Sequence, residues 1–250
     1  MKIAVAGGTG TVGQHITRTA REAGHEVVVL SRRHGVDVST GAGVDAALAG
    51  ADAVIDVTST MTLSQKKATA FFETGTRTLL DAGARAGVGH HVVLSIVGID
   101  GIDAGYYGAK LAQERAVAGR GVPFSIVRAA QFHEFAGQVM SLVSGPFAVA
   151  PRTLMRPVAA REVAAHLLRV VEGGPVGRAQ DIVGPRDETL ADVMRRQLAA
   201  DGIRRRVLDV RLPGAYGRGL ASGALRGGPD ALQGATTFDA WLRSPDHRRP

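Results

Sequence analysis

The N-terminus places the strongest constraint on what this chain can fold into. Ile3-Ala4-Val5-Ala6 is an unbroken apolar run, and it stops at Gly7. A short strand that is apolar on both faces must be buried on both faces, which is the habit of a parallel sheet. Gly7, Gly10 and Gly13 follow at a spacing of three, and Thr11–Ala23 then carries helical periodicity, with Val12, Ile16 and Ala20 on one face and Gly24 as a stop. The spacing alone is weak evidence in a glycine-rich chain, but strand, glycine turn and helix in that order are specific. The first glycine permits a tight turn, the second lets backbone approach a pyrophosphate, and the third lets helix and strand pack closely. N–H groups around Gly10, Thr11 and Val12 would then face phosphate at a helix N-terminus.

The rest of the first half repeats the pattern. His25–Leu30, Ala53–Val57, His91–Val97 and Pro123–Val127 read as buried strands, and Val36–Val38 as a very short one. Val44–Leu48, Ser64–Ala86 and Tyr106–Ala118 read as the helices between them. Alternation of this kind predicts an α/β fold with a doubly wound, Rossmann-type parallel sheet. After about residue 128 the pattern loosens. Arg161–Val171 and Leu190–Ala200 look helical, Gln180–Val183 and Val207–Val210 look like strands, and Thr237–Leu242 looks like a closing turn of helix. Gly214–Pro229 is either a loop or a set of short helices. With no repeat and no linker, residues 1–250 read as one unit, in which 129–250 contribute a small substrate lobe.

Composition removes several function classes. The chain has no cysteine, so disulfides, thiol nucleophiles and cysteine-bound metals are excluded, and a cytoplasmic setting is compatible. It also has no asparagine, which excludes N-glycosylation and any chemistry that needs that side chain. The formal charge of +7 invites a nucleic-acid reading. Its distribution argues otherwise, because nine Arg and four Asp lie scattered after residue 203, and no aromatic residues interleave with the one run of three, Arg204, Arg205 and Arg206. No apolar stretch has membrane-spanning length, and no signal peptide is expected. The eight histidines show no ligand spacing, so no metal is expected.

Three groups carry candidate chemistry. Tyr106 and Lys110 are four apart on a predicted helix and share a face, although Tyr107 competes with Tyr106 for the inward direction. Ser95 ends a strand at the edge where open α/β sheets bind ligands. A tyrosine hydroxyl can protonate a carbonyl oxygen while hydride reaches its carbon, a nearby ammonium lowers the tyrosine pKa, and a serine can hydrogen-bond the developing oxyanion. At the end of the second strand an NAD site usually places a carboxylate. Here Ser31, Arg32 and Arg33 stand instead, and guanidinium groups suit a 2′-phosphate, so NADP(H) is expected over NAD(H). Asp37 is either an acceptor for the adenine amino group or a solvated turn residue. The long helix with Phe71 and Phe72 is either core or the face of a homodimer.

The segments AVAGGTGTVG, LSRR, VVLS and YYGAKLAQE together resemble the short-chain dehydrogenase/reductase superfamily. The resemblance is closest to its atypical NmrA-like, NAD(P)-binding branch, and RAAQFHEF and MRPVAAREVA extend it over most of the chain. It implies a Rossmann domain, NADP binding and a reductase acting on a small-molecule carbonyl or quinone. It assigns cofactor binding to Gly7, Gly10, Gly13, Arg32, Arg33 and Lys110, catalysis to Ser95, Tyr106 and Lys110, and the substrate pocket to Phe132 and His133. The family's Asn-rich turn reads Val57-Thr58-Ser59 here, with Thr58 in cofactor-binding position, and an Asn-Ser-Tyr-Lys tetrad is impossible. The branch also contains NADP-sensing regulators without turnover, which is the alternative reading. A sugar-nucleotide epimerase or dehydratase is a third.

Overall fold

The computed structural model describes residues 1–62 and 64–247. In chain order the elements are β1 (Lys2–Ala6), α1 (Thr11–Glu22), β2 (Glu26–Leu30), α2 (Val44–Leu48), β3 (Ala53–Asp56), α3 (Gln65–Ala86), β4 (His90–Ile96), α4 (Gly105–Ala118) and β5 (Phe124–Ala129). There follow α5 (Phe135–Ser141), β6 (Phe147–Pro151), β7 (Leu154–Met155), α6 (Ala160–Gly173), β8 (Gly177–Arg178), β9 (Ile182–Val183) and β10 (Glu188–Thr189). The last are α7 (Leu190–Ala200), β11 (Arg206–Val210), α8 (Gly214–Ala221), β12 (Leu232–Gln233) and α9 (Phe238–Leu242).

Two compact units divide the chain. The first comprises Met1–Ser95, Asp103–Arg128 and Ala160–Gln180. Its strands hydrogen-bond in the order β2-β1-β3-β4-β5, with β8 also on β5, and the ladders whose register is known are parallel. This is the Rossmann-like α/β arrangement that alternating apolar strands and helices require. The order reverses at β1, which lies between β2 and β3, and such a switch point opens a crevice at the strand C-termini. The register makes those ends level, because Ala6 is opposite both Leu30 and Asp56, and Asp56 is opposite Val93. Gly7, Ser31 and Val57 therefore leave the sheet along one edge, and Ser95 lies toward that edge near the end of β4.

Packing explains the elements. Ile3, Ala4, Val5 and Ala6 are wholly buried. Leu48, Val54, Leu79 and Ala82 form one cluster beside Ala4, Ala6 and Leu30. Helix α3 begins at the Ser64 cap, whose hydroxyl accepts the Lys67 N–H, and ends at Gly87, which takes the left-handed conformation at φ +74°. Helix α4 is clamped to β5 by a buried ion pair in which Arg128 Nε and Nη2 meet both Glu114 oxygens at 2.7 and 2.6 Å. Removing one partner of such a pair strands a buried charge and costs about 3–5 kcal/mol.

The expected strand over Val36–Val38 does not form. The segment lies between Gly35, at φ +73°, and a tight turn in which Asp37 Oδ1 accepts the Ser39 N–H and Asp37 O accepts the Gly41 N–H. Val36 and Val38 anchor that turn in the core, so their apolar character serves packing rather than a ladder.

The second unit comprises Ile96–Ile102, Ala129–Ala159 and the chain from Asp181 on. Here Ala129 of β5 pairs with Ile182 of β9, and β12 pairs with β9. Two further pairs form, β6 with β11, whose β11 covers the strand expected at Val207–Val210, and β7 with β10, whose two-residue strands are too short to show in the sequence pattern. Gly214–Pro229 contains α8 and a single 3₁₀ turn at Ala224–Arg226. Part of the basic C-terminal stretch is structural. Arg205 donates to the carbonyls of Met140, Val143 and Phe147, and Arg226 shares Asp187 with Arg156.

Candidate active site

The glycine turn is built as a cradle. Gly7 sits at φ +80°, and a Cβ there would lie 2.8 Å from Val57 O and 3.0 Å from Thr58 N, so β1 and the turn after β3 touch backbone to backbone. A Cβ on Gly13 would lie 2.2 Å from Gly7 O and 2.6 Å from Gly8 Cα. Gly10 caps α1 without a side chain, and the first turn of that helix holds no acidic residue. The first intrahelical donor is Gln14 N–H, to Gly10 O at 3.0 Å, so the N–H groups of Thr11, Val12 and Gly13 precede the ladder. Small residues, close backbone and a positive helix end fit the pyrophosphate of a dinucleotide.

The end of β2 is exposed. Arg32, Arg33 and His34 form a 3₁₀ turn on the surface. Neither guanidinium is engaged by a carboxylate among the described residues. The Ser31 hydroxyl pairs with His34 Nδ1 at 2.7 Å. Asp37 already uses one carboxylate oxygen on its own turn.

Tyr106 and Lys110 both pack on one ring of α3. The Tyr106 ring meets Phe72 edge-on at 5.5 Å, and the Lys110 ammonium lies 4.5 Å from the same ring centre. Tyr107 is buried in the core, whereas Tyr106 is half-buried and its hydroxyl meets Ser59 Oγ at 2.9 Å. Burial pushes the Tyr106 pKa up, the Ser59 hydrogen bond opposes that, and the Asp56 charge adds to it. The lowering expected from Lys110 is not found, because the ammonium is committed elsewhere. Lys110 is 4% exposed and bonds Gln113 Oε1. Burial pulls its pKa down to about 8, against the raising effect of the Asp56 and Glu114 carboxylates. Ser95, 3% exposed at the end of β4, has a buried hydroxyl with no hydrogen-bond partner. No hydrogen bond joins Ser95, Tyr106 and Lys110 to one another among the described residues.

Sequence reasoning missed two members of this group. Asp56 is buried and accepts both the N–H and the hydroxyl of Thr58, at 2.9 and 2.7 Å. Ser59 holds the tyrosine. The only signal for either was their place at the end of β3, on the edge where ligands bind. Phe132 and His133 lie in the second unit. Phe132 is half-buried, and His133 is 1% exposed, its Nε2 donating to Thr236 O at 3.0 Å and its ring packed on Phe238 and Trp241.

Residues 3–117 match the NAD dependent epimerase/dehydratase family. That stretch of the chain runs from Ile3 of β1 through nearly all of α4 and includes every first-unit residue of the site described above. The fold is the Rossmann-like one that the resemblance implied. No curated protein matches in sequence. Among solved structures, the chain is similar to an NADPH-dependent quinone oxidoreductase from Escherichia coli complexed with NADPH, at 17% identity and a TM-score of 0.71, over 96% of this chain and 98% of that one. It is similar to a nucleoside-diphosphate-sugar epimerase from Staphylococcus aureus at 15% identity and 0.69, over 98% and 100%. A short-chain dehydrogenase/reductase superfamily protein from Agrobacterium tumefaciens with bound NAD aligns at 19% and 0.69, over 97% and 95%. These likenesses, at such identities, concern the fold. Among the described residues, no helix is long and apolar enough to cross a membrane, and no group of three or more His, Asp or Glu is placed to hold a metal ion.

Proposed function

We propose that this chain is an NADP(H)-dependent oxidoreductase that reduces a small carbonyl or quinone, or runs the reverse reaction. The observation that carries the reading is Tyr106. It is half-buried one helical turn from Lys110, its hydroxyl rests on Ser59, and its pKa is raised, so it remains protonated at neutral pH. A protonated phenol is a donor, which suits reduction. The cradle at Gly7, Gly10, Thr11, Val12 and Gly13 would hold the pyrophosphate, and Ser31, Arg32 and Arg33 would hold a 2′-phosphate. When bound, the nicotinamide supplies or accepts hydride. Tyr106 gives its proton to the substrate oxygen, Ser59 shares that hydrogen bond, and the uncommitted Ser95 hydroxyl is available to a developing oxyanion. Lys110 supplies positive charge beneath a low-dielectric site. Phe132 and His133 enter as pocket residues through the family resemblance, in its NmrA-like branch.

The test is a turnover screen with NADPH and NADH against small aldehydes, ketones and quinones. The expected result is NADPH-linked reduction. Tight dinucleotide binding with no turnover of any substrate would make the chain an NADP-sensing module instead. Failure to bind either dinucleotide would end the reading.

Two outcomes follow from the geometry. An Arg33→Ala or Arg32→Ala change removes a charge-assisted contact worth about 1.5–3 kcal/mol, so NADPH affinity should fall about 10- to 100-fold while NADH affinity holds. Calorimetric titration with both dinucleotides checks this, and equal losses for the two would remove the arginines from the 2′-phosphate. The second outcome concerns pH. Lys110 is charged below its lowered pKa and neutral above it, so kcat should decline as pH rises through about 8. A kcat profile that stays flat from neutral to alkaline pH would separate Lys110 charge from the reaction.

A further inference from the structure

The reaction as drawn leaves one buried polar chain unused. Gln113 follows Lys110 by three residues on α4 and is 1% exposed. Its Oε1 accepts from the Lys110 ammonium. Its Nε2 donates to Asp56 Oδ2 at 2.9 Å and to Thr76 Oγ1, on α3, at 3.1 Å. Asp56 is itself 1% exposed, and its other oxygen is spent on Thr58. A primary amide has one acceptor oxygen and two donor hydrogens. Here the oxygen faces the Lys110 ammonium and the NH₂ faces the Asp56 carboxylate and the Thr76 hydroxyl. A flipped amide would set N–H against ammonium and carbonyl against carboxylate, so the chemistry permits one orientation. The chain therefore runs from Lys110 through Gln113 and Asp56 to Thr58, and the next residue, Ser59, holds Tyr106.

We propose that Gln113 is a positioning residue of this site, whose side chain ties the Lys110 ammonium to buried Asp56 and so keeps α4 in register with the turn that carries Ser59. The inference rests on the reading of Lys110 as a member of a dinucleotide site. A core bridge with no such role would use the same hydrogen bonds, and the two are told apart by what Lys110 does.

Lys110 is unusually accessible to measurement. The chain has four lysines, Lys2, Lys66, Lys67 and Lys110, so a protein carrying ¹³C,¹⁵N-lysine gives four side-chain signals. The Lys110 signal is the one lost in Lys110→Arg. The groups that face it are Asp56 from β3, Glu114 from α4 and the Phe72 ring from α3, and His91 of β4, beside the same Asp56, is held neutral by burial at a pKa of about 4. In the free protein, Lys110 should titrate well below the other three. Gln113→Met keeps length and loses every hydrogen bond. An acceptor on the ammonium favours the charged form, so its loss should lower the Lys110 pKa by about one unit. The alkaline limb of kcat should move down by the same amount, with KM for the dinucleotide changed less than about threefold. Gln113→Glu keeps the acceptor and adds charge, and should move both upward.

A folded Gln113→Met protein with Lys110 titrating as before overturns the tether. A limb that fails to follow the lysine overturns the positioning role. If Gln113→Met does not fold, Gln113→Asn retains the amide one methylene short and should lower the Lys110 pKa in the same direction; an unchanged titration overturns the proposal. Because the titration is read without dinucleotide, it stands apart from turnover. A shifted lysine in a protein that neither binds nor reduces anything would refute the proposed function and leave the tether established.

Discussion

Tyr106→Phe is expected to lower kcat for carbonyl reduction by about 10²- to 10⁴-fold, the range of a lost general acid. The substitution removes one oxygen and keeps the ring, so the edge-on contact with Phe72 at 5.5 Å and the packing of α4 on α3 are retained. Dinucleotide affinity and Tm should therefore hold, which assigns the loss to proton donation. Ser59 Oγ loses its partner in the variant, but Ser59 is partly exposed and water can replace the phenol. Steady-state kinetics with binding and melting controls decide the matter. Full carbonyl turnover in the variant would remove Tyr106 from the role. Turnover kept on a quinone and lost on a carbonyl would mark quinone reduction as hydride transfer that needs no tyrosine proton.

Gly13→Ala is expected to destabilise the protein by about 3 kcal/mol, the upper end of overpacking costs, and to abolish dinucleotide binding. Alanine normally favours a helix over glycine by up to about 1 kcal/mol. That gain is overwhelmed here, because the new methyl carbon would stand 2.2 Å from Gly7 O and 2.6 Å from Gly8 Cα. Both obstacles are backbone. Gly7 O is held by Gly10 N–H at 2.9 Å, and Gly7 N–H by Leu30 O at 3.1 Å, so neither can retreat without opening the turn. In a chain of this length the Tm should fall by about 6–12 °C. Gly173→Ala is the control. Nothing lies within 4 Å of its added Cβ, and Gly173 sits in α6 without a positive φ, so stability there should hold or rise. A Gly13→Ala protein that melts normally and binds dinucleotide would refute the cradle.

The first unit was legible because its signals are local. Apolar strands such as Ile3–Ala6 and Ala53–Ile55 need two covered faces, and the glycines between strand and helix report a close backbone approach that the structure shows at Gly7 and Gly13. The helix spacing of Tyr106 and Lys110 likewise set both against Phe72. Val36–Val38 misled because two valines can anchor a turn as well as a strand. The second unit was hard to read because its strands are mostly two residues long, and their pairing is decided by partners far away, as for Leu154–Met155 with Glu188–Thr189.

By itself, then, the sequence determined the parallel sheet, the glycine turn, the absence of an asparagine and the face shared by Tyr106 and Lys110. These follow from periodicity, from composition and from what glycine alone can do. Only the tertiary structure decided which groups those side chains meet. Asp56, Ser59 and Thr76 are 57, 54 and 37 residues from Gln113, and a hydrogen bond between buried groups leaves no periodic trace. The decisive quantity is burial. Removed from water, Lys110 must find its charge partner inside the protein, and it found Gln113 and Asp56 rather than the tyrosine hydroxyl beside it.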